Sequence, residues 1–242
     1  MNKAFSAQKG SAIIYILIAI GLLAALTASL LDSPSQQTQA QNRMKTMSEV
    51  KSQVDLVRAA VDECILLNPG GDIGIDDSAT SLDEGANKRY PVRPDSTRLP
   101  VAIRASDRLV RNIRCPGNPG DDPNHAAVFG GASGKFLPPA PDLFDEWQWY
   151  NGIDGIFFWA ETDKTDAFLT SALEKLDEEY GECEVDVIDA TTSAVNMNSD
   201  TDADKDIDCP TEHRCFRVWI LAKGTPVFQA GSNEISAGCD TP

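Results

Sequence analysis

Histidine is scarce in this chain, and the motifs that usually mark an enzyme are missing. Only His125 and His213 occur in 242 residues, and neither has a recognisable nucleophile motif beside it. The glycine-rich stretch before Lys135 lacks two residues of a phosphate-binding loop, because phenylalanines stand at positions 129 and 136, where Gly and Ser or Thr are required. We therefore predict that the protein is not an enzyme.

Basic residues are also few. The chain has 21 Lys and Arg against 37 Asp and Glu, a net charge of -16. Nucleic acid is not an expected partner, because phosphate binding needs a basic surface. The charge is uneven: residues 88–114 hold eight basic and two acidic residues, and residues 142–214 hold four and twenty-one. This uneven distribution of charge has two interpretations. Copies of the chain pair head to tail, or the charged residues form a solvated surface.

Charge is absent altogether from Ala12 to Leu31, a run of 20 mostly apolar residues. As a helix this run is about 30 Å long, which matches the hydrocarbon core of a bilayer. Lys3 and Lys9 precede it, which favours a single span with the N-terminus inside. A cleaved secretory signal usually has a shorter apolar region of about 7–15 residues. A plain signal anchor is the remaining alternative.

The residues around this run resemble the type IV pilin family, which includes the pseudopilins of type II secretion. Gln8-Lys9-Gly10 ends a short basic leader, and the apolar run begins directly after Ser11. The resemblance implies that a prepilin peptidase cleaves between Gly10 and Ser11 and that other pilin or pseudopilin subunits are partners. It also implies a leader over residues 1–10, a transmembrane and assembly helix over 11–34 that kinks near Pro34, an amphipathic extension over 35–68 and a globular domain over 69–242.

One position departs from the family pattern. The fifth residue after the cleavage glycine is usually Glu, which neutralises the amino terminus of a neighbouring subunit, and here it is Tyr15. Minor pseudopilins at filament tips are similar in lacking this Glu. The resemblance thus implies a minor or tip subunit of a pilus or secretion pseudopilus. Its location would be the bacterial inner membrane, with the C-terminal domain periplasmic or on an extracellular filament. The alternative is a membrane-anchored adhesin or calcium-stabilised binding module that does not polymerise.

Apolar periodicity after the membrane run predicts an amphipathic helix that ends at the Asn68-Pro69 break. Its stripe, spaced three and four residues apart, is Met47, Val50, Val54, Val57, Val61 and Cys64. Packing of this stripe on a sheet in the same chain is favoured over a coiled coil, because the stripe runs under three heptads.

The remainder of the chain predicts an antiparallel sheet with one inserted helix, so the fold class is α+β. We predict strands at Gly155–Glu161, Cys183–Ile188, Cys215–Ala222 and Pro226–Gln229, and a helix at Asp166–Tyr180. Leu99–Cys115 is read as either a helix or an edge strand. The aromatic cluster between Trp147 and Trp159 is interpreted as core rather than as a ligand platform.

All six cysteines follow the apolar run, where an oxidising compartment favours disulfides. They are Cys64, Cys115, Cys183, Cys209, Cys215 and Cys239. Six cysteines allow 15 pairings, so we propose only the pair between Cys64, at the helix end, and Cys115. Cys209, His213 and Cys215 also suggest zinc, but they supply only three ligands.

Five aspartates alternate over nine residues, and this spacing resembles the start of a calcium loop. They are Asp200, Asp202, Asp204, Asp206 and Asp208. The match is incomplete, because Lys205 replaces the turn glycine and Thr211 stands where a closing Glu is expected. The sequence therefore leaves two hypotheses open, a structural Ca²⁺ site and a solvated acidic loop.

Overall fold

The structure, a computed structural model, describes residues 11–68, 108–113, 115, 128–129, 133–152, 155–181, 184–198 and 207–222. Its elements are α1 (Ser11–Leu67), a 3₁₀ turn (Val110–Asn112), β1 (Gln148–Gly152), β2 (Gly155–Thr162), α2 (Ala167–Glu179), β3 (Val185–Asp189), β4 (Val195–Asn196), β5 (Asp208–Cys209) and β6 (Arg214–Ala222). The described part of the chain is thus α+β, as predicted.

The first element, α1, is a single helix of 57 residues and is about 86 Å long at 1.5 Å per residue. The helix continues through Pro34, so the predicted assembly helix and the predicted amphipathic extension are one element. The helix ends where predicted. Asn68 follows its last residue, and both its backbone N–H and its side-chain amide donate to the Cys64 carbonyl, at 2.9 and 3.2 Å.

Four strands form an antiparallel sheet in the order β1-β2-β6-β3. The predicted strands near Gly155–Glu161, Cys183–Ile188 and Cys215–Ala222 correspond to β2, β3 and β6, whereas Pro226–Gln229 lies outside the described residues. Gly155 starts β2 at a φ of 130°, and a Cβ there would lie 2.0 Å from the Leu221 carbonyl oxygen. Only glycine fits this close approach of two backbones.

The inner face of the sheet packs against the second half of α1, and this confirms the predicted stripe. Val54, Val57 and Val61 are fully buried, and Met47 is partly buried at the rim of the same core. Trp147 and Phe158 meet them from the sheet side, with ring centroids 5.2 Å apart in an edge-to-face arrangement. Burial of each such apolar side chain contributes about 1.5–3 kcal/mol, so this interface stabilises the domain.

The inserted helix α2 lies beside α1 and runs parallel to it. Two contacts join residues that are each 128 positions apart, Arg43 to Ser171 and Lys51 to Glu179, so the partners ascend together along both helices. Beyond the end of α2, Arg58 continues this order with a contact to Glu184. The predicted helix at Asp166–Tyr180 is confirmed with one residue fewer at each end.

The outer face of the sheet is covered by residues 190–198 and 207–213, which include the two-stranded β4–β5 sheet. Phe157 lies at the centre of this second core, with its ring 4.7 Å from Tyr150, 5.7 Å from Trp159 and 4.9 Å from Trp219. All four rings are buried. The aromatic cluster is therefore core, as predicted, and not a ligand platform.

Candidate assembly surface and acidic-loop base

The first part of α1 is exposed to solvent on every side. Every side chain from Ile13 to Thr27 is exposed, and none carries a charge. Tyr15 is 70% exposed and Leu23 is 68% exposed. The predicted assembly residues Tyr15 and Pro34 lie on α1. Of the predicted processing residues, Ser11 is the first residue of α1, and Gly10 lies outside the described residues. This segment is a continuous apolar cylinder. Its exposure to water is unfavourable, so we expect other apolar groups to pack around it.

Membrane spanning itself is not confirmed. Within the part of the chain that the structure describes, no helix combines the length and the apolar character needed to cross a bilayer. The predicted leader, residues 1–10, lies outside that part.

A disulfide joins the far end of α1 to the middle of the chain. Cys64 and Cys115 are bonded, with their Cα atoms 5.7 Å apart, and the predicted pair is therefore confirmed. Cys64 is 2% exposed, on the face of α1 that packs on the sheet. The bond fixes the helix end to a segment that follows it by 51 residues. Cys183 and Cys239 lie outside the described residues.

A second disulfide closes a tight turn between β5 and β6, where Cys209 is bonded to Cys215. Both sulfurs are committed to this bond, so the zinc hypothesis for these two cysteines and His213 is wrong. Among the described residues no cluster could hold a metal ion. Glu212 lies within the closed turn at a φ of 68°, in the left-handed region.

The base of the acidic loop is ordered by paired backbone, although residues 200–206 lie outside the described residues. The Met197 N–H donates to the Ile207 carbonyl at 2.6 Å. The Ile207 N–H in turn donates to Oδ1 of Asn198 at 2.8 Å, and Asn198 is 3% exposed. Asp208 follows as an exposed residue of β5. The two ends of the loop are thus held side by side on the outer face of the sheet.

A buried ion pair that the sequence did not reveal connects this base to the sheet. Arg217 on β6 is 1% exposed and lies opposite Asp186 on β3, which is 4% exposed. The guanidinium also donates from Nη1 to the Met197 carbonyl at 2.5 Å. It stacks over Trp219, with 4.9 Å from Cζ to the ring centroid. Arg217 therefore links β3, β6 and the start of the acidic loop.

A half-buried carboxylate at the end of β2 has a perturbed pKa. Burial raises the pKa of Glu161 above its ordinary value, and Asp145 raises it further, while His213 and Arg108 lower it. Gln148 donates from Nε2 to Glu161 Oε1 at 3.3 Å. The net effect is a raised pKa, so the protonated form of Glu161 is more favoured in the folded than in the unfolded chain. Among the described residues, no group of side chains around it could hold a metal ion.

The comparisons with known proteins found nothing, because the chain matches no family model, no curated protein and no solved structure.

Proposed function

We propose that this chain is a pilin-like structural subunit that is processed after Gly10 and assembles through the N-terminal half of α1. The observation that carries the proposal is that the two halves of α1 differ in their surroundings. Ile13 to Thr27 are exposed and uncharged, whereas Val50 to Cys64 hold the same helix on a disulfide-linked α+β domain. The exposed half of such a helix can pack against other apolar helices, while the domain attached to its other half remains in water.

Before assembly, the exposed rod would reside in the bacterial inner membrane with the domain on the outer side. The support comes from the uncharged run Ala12 to Leu31, which is as long as a bilayer core, and from Lys3 and Lys9 before it. The two disulfides among the described residues agree with an oxidising compartment for the domain. In assembly, apolar helices of other subunits would replace the lipid.

Within such a filament we assign the chain to a minor or tip position. Tyr15 is exposed on the rod, and its phenol cannot supply the negative charge that offsets a buried amino terminus. A subunit at the tip has no neighbour ahead of it that needs this carboxylate. α2 adds bulk beside α1 along Arg43 to Lys51, where a uniform filament would need close neighbours.

Quantification in sheared filaments tests this assignment. We expect substoichiometric amounts of the chain against the most abundant subunit, and we expect Tyr15→Glu to increase its share in the filament body. Tyr15→Phe is the matched control, because it alters the same position without adding charge. A chain that dominates the filaments would make the tip assignment wrong.

The second candidate is an anchored binding module stabilised by Ca²⁺, and the paired base of the acidic loop is the observation that supports its calcium site. Asn198 and Ile207 are hydrogen-bonded to each other, and four of the aspartates lie between them in the sequence. A cation would offset their mutual repulsion. Processing at Gly10 separates the two candidates, because a module that never polymerises keeps its leader. Calcium binding itself is compatible with either candidate.

A further inference from the structure

An extended strap, residues 135–142, crosses the surface of α1 in the opposite direction to the helix. Lys135 at its start pairs with Glu63 at 2.5 Å, and Asp142 at its end lies 4.0 Å from Lys45. The four side chains of these two pairs are between 36% and 92% exposed. Ion pairs that water can reach contribute little to stability, so both ends of the strap are weakly held.

The centre of the strap is held by one hydrogen bond and by two apolar side chains. Nε2 of Gln53 donates to the Pro139 carbonyl at 2.7 Å, while Oε1 of the same amide accepts the indole N–H of Trp147. Leu137 and Ala140 are partly buried against the core. Three of the eight strap residues are prolines, which have no N–H to donate. Among the described residues, no backbone–backbone hydrogen bond joins the strap to α1 or to the sheet.

A residue with left-handed backbone lies at each end of the strap. Gly134 precedes it with a φ of 66°, and Leu143 follows it with a φ of 84°. Glycine adopts this region freely, whereas Leu is strained there because its Cβ crowds the neighbouring carbonyl. The hydroxyl of Thr162 donates to the Leu143 carbonyl at 2.6 Å and so holds this turn against the end of β2. The chain therefore turns sharply at both ends of the strap.

We propose that the strap opens as a unit on hinges at Gly134 and Leu143, while α1, α2 and the sheet stay folded. Local opening occurs where few buried contacts and few backbone hydrogen bonds hold a segment, and the strap meets both conditions. Opening also releases Leu143 from its strained conformation. A cavity of about 110 Å³ lies between the strap and Trp147, and opening exposes this cavity and the indole to water. This device is independent of processing at Gly10.

Hydrogen exchange of indole groups in the full chain, held in detergent, tests the opening. The chain has four tryptophans, so ¹⁵N-tryptophan labelling gives four indole signals. The Trp147 indole is bonded to Gln53 beneath the strap, whereas the Trp219 indole is bonded to Asp186 and lies on the central strand β6. We expect Trp147 to exchange at least about tenfold faster than Trp219, at a rate that low urea does not change. Equal rates with equal dependence on urea would overturn the proposal.

Two substitutions within the strap identify what holds it closed. Leu137→Ala removes a side chain that packs on the core, and we expect it to accelerate exchange at Trp147 about tenfold. Phe136→Ala is the matched control, because Phe136 is 74% exposed, and it should leave the rate unchanged. Neither variant should alter exchange at Trp219. An unchanged Trp147 rate in Leu137→Ala, or an equal acceleration at Trp219, would overturn the proposal.

The hinge is tested by a pair of glycine substitutions. A Cβ added at Gly134 or at Gly21 meets no atom within 4 Å, so only backbone conformation distinguishes the two positions. Gly134→Ala should accelerate exchange at Trp147 about tenfold, because a left-handed Ala disfavours the closed strap. Gly21→Ala, within the right-handed helix α1, should leave that rate unchanged. Equal Trp147 rates in the two variants would show that residue 134 keeps its conformation and would overturn the hinge.

Discussion

The carboxylate of Asp186 and the guanidinium of Arg217 meet across adjacent strands in the interior of the domain. Oδ2 of Asp186 accepts from Nε and Nη2 of Arg217, at 3.0 and 2.8 Å, and also from the indole N–H of Trp219, at 2.9 Å. Nη1 of the guanidinium also donates to the Met197 carbonyl. This one ion pair therefore ties two sheet strands to the segment that leads into the acidic loop.

Breaking this pair on one side should be costly. Arg217→Met leaves Asp186 as a buried charge, and we expect a loss of about 3–5 kcal/mol in the free energy of unfolding. The double variant Arg217→Met with Asp186→Leu removes both charges and should be less destabilised than the single variant. Urea denaturation followed by tryptophan fluorescence measures both. A double variant that is less stable than Arg217→Met would contradict this account.

The two disulfides should differ in their contributions because they close loops of different length. Loop-closure entropy predicts about 4 kcal/mol for the bond across 51 residues and about 2 kcal/mol for the bond across 6 residues. We therefore expect Cys64→Ala with Cys115→Ala to lower the urea midpoint more than Cys209→Ala with Cys215→Ala. The reverse order would show that native packing around Cys209 outweighs chain entropy.

Glu161 should make stability depend on pH. Its folded pKa is raised above the ordinary value of 4.5, first by burial, so folding favours its protonated form. That contribution is fully present at pH values below 4.5 and is lost as the pH rises through the folded pKa. Glu161→Gln mimics the protonated form, keeps an acceptor for Gln148, and should raise the melting temperature at pH 7.

The gain from Glu161→Gln should shrink as the pH falls and vanish well below pH 4.5, which a series of thermal melts would show. Glu146→Gln, on an exposed side chain nearby, is the control for removing one negative charge. A gain that persists unchanged at low pH would mean that the titration of Glu161 is not its cause.

Calcium should stabilise the domain if the acidic loop binds it. We expect the melting temperature to rise with millimolar Ca²⁺, to fall with a chelator, and to lose this response when Asp200, Asp202 and Asp204 are changed to Asn. A ligand that binds only the folded state adds about 2.7 kcal/mol at a hundredfold excess over Kd. Mg²⁺ should substitute poorly, because it demands a tighter octahedral geometry.

The control for calcium changes three aspartates elsewhere, Asp72, Asp76 and Asp77, to Asn, and this variant should keep the full response. If calorimetry detects no calcium binding, or if the loop variant responds like the control, the loop is only a solvated acidic turn.

Local patterns predicted the helices and the longest strands well. The valine stripe of α1 repeats every three or four residues, so its buried face could be read directly, and Cys64 on that face indicated a disulfide at the helix end. The helix α2 also shows its apolar period within a few residues, and β6 is a continuous apolar run with a single Arg. Such elements are determined by neighbours along the chain.

The sequence did not predict features that depend on pairing between distant segments. Asp186 and Arg217 look like ordinary charged residues until β3 is aligned with β6, 31 positions away. Gln53 is one polar residue in a helix, and its role depends on where residues 135–142 cross α1. Strand β1 was read only as part of an aromatic cluster, because its register with β2 is a tertiary property.

The central claim, a pilin-like subunit, is tested most directly by the intact mass of the mature protein isolated from its native membrane. We expect a chain that begins at Ser11, with or without one added methyl group, and a Gly10→Leu variant that retains all ten leader residues. A native chain that still begins at Met1, or one that begins near Asp32 after removal of the apolar run, would contradict the account.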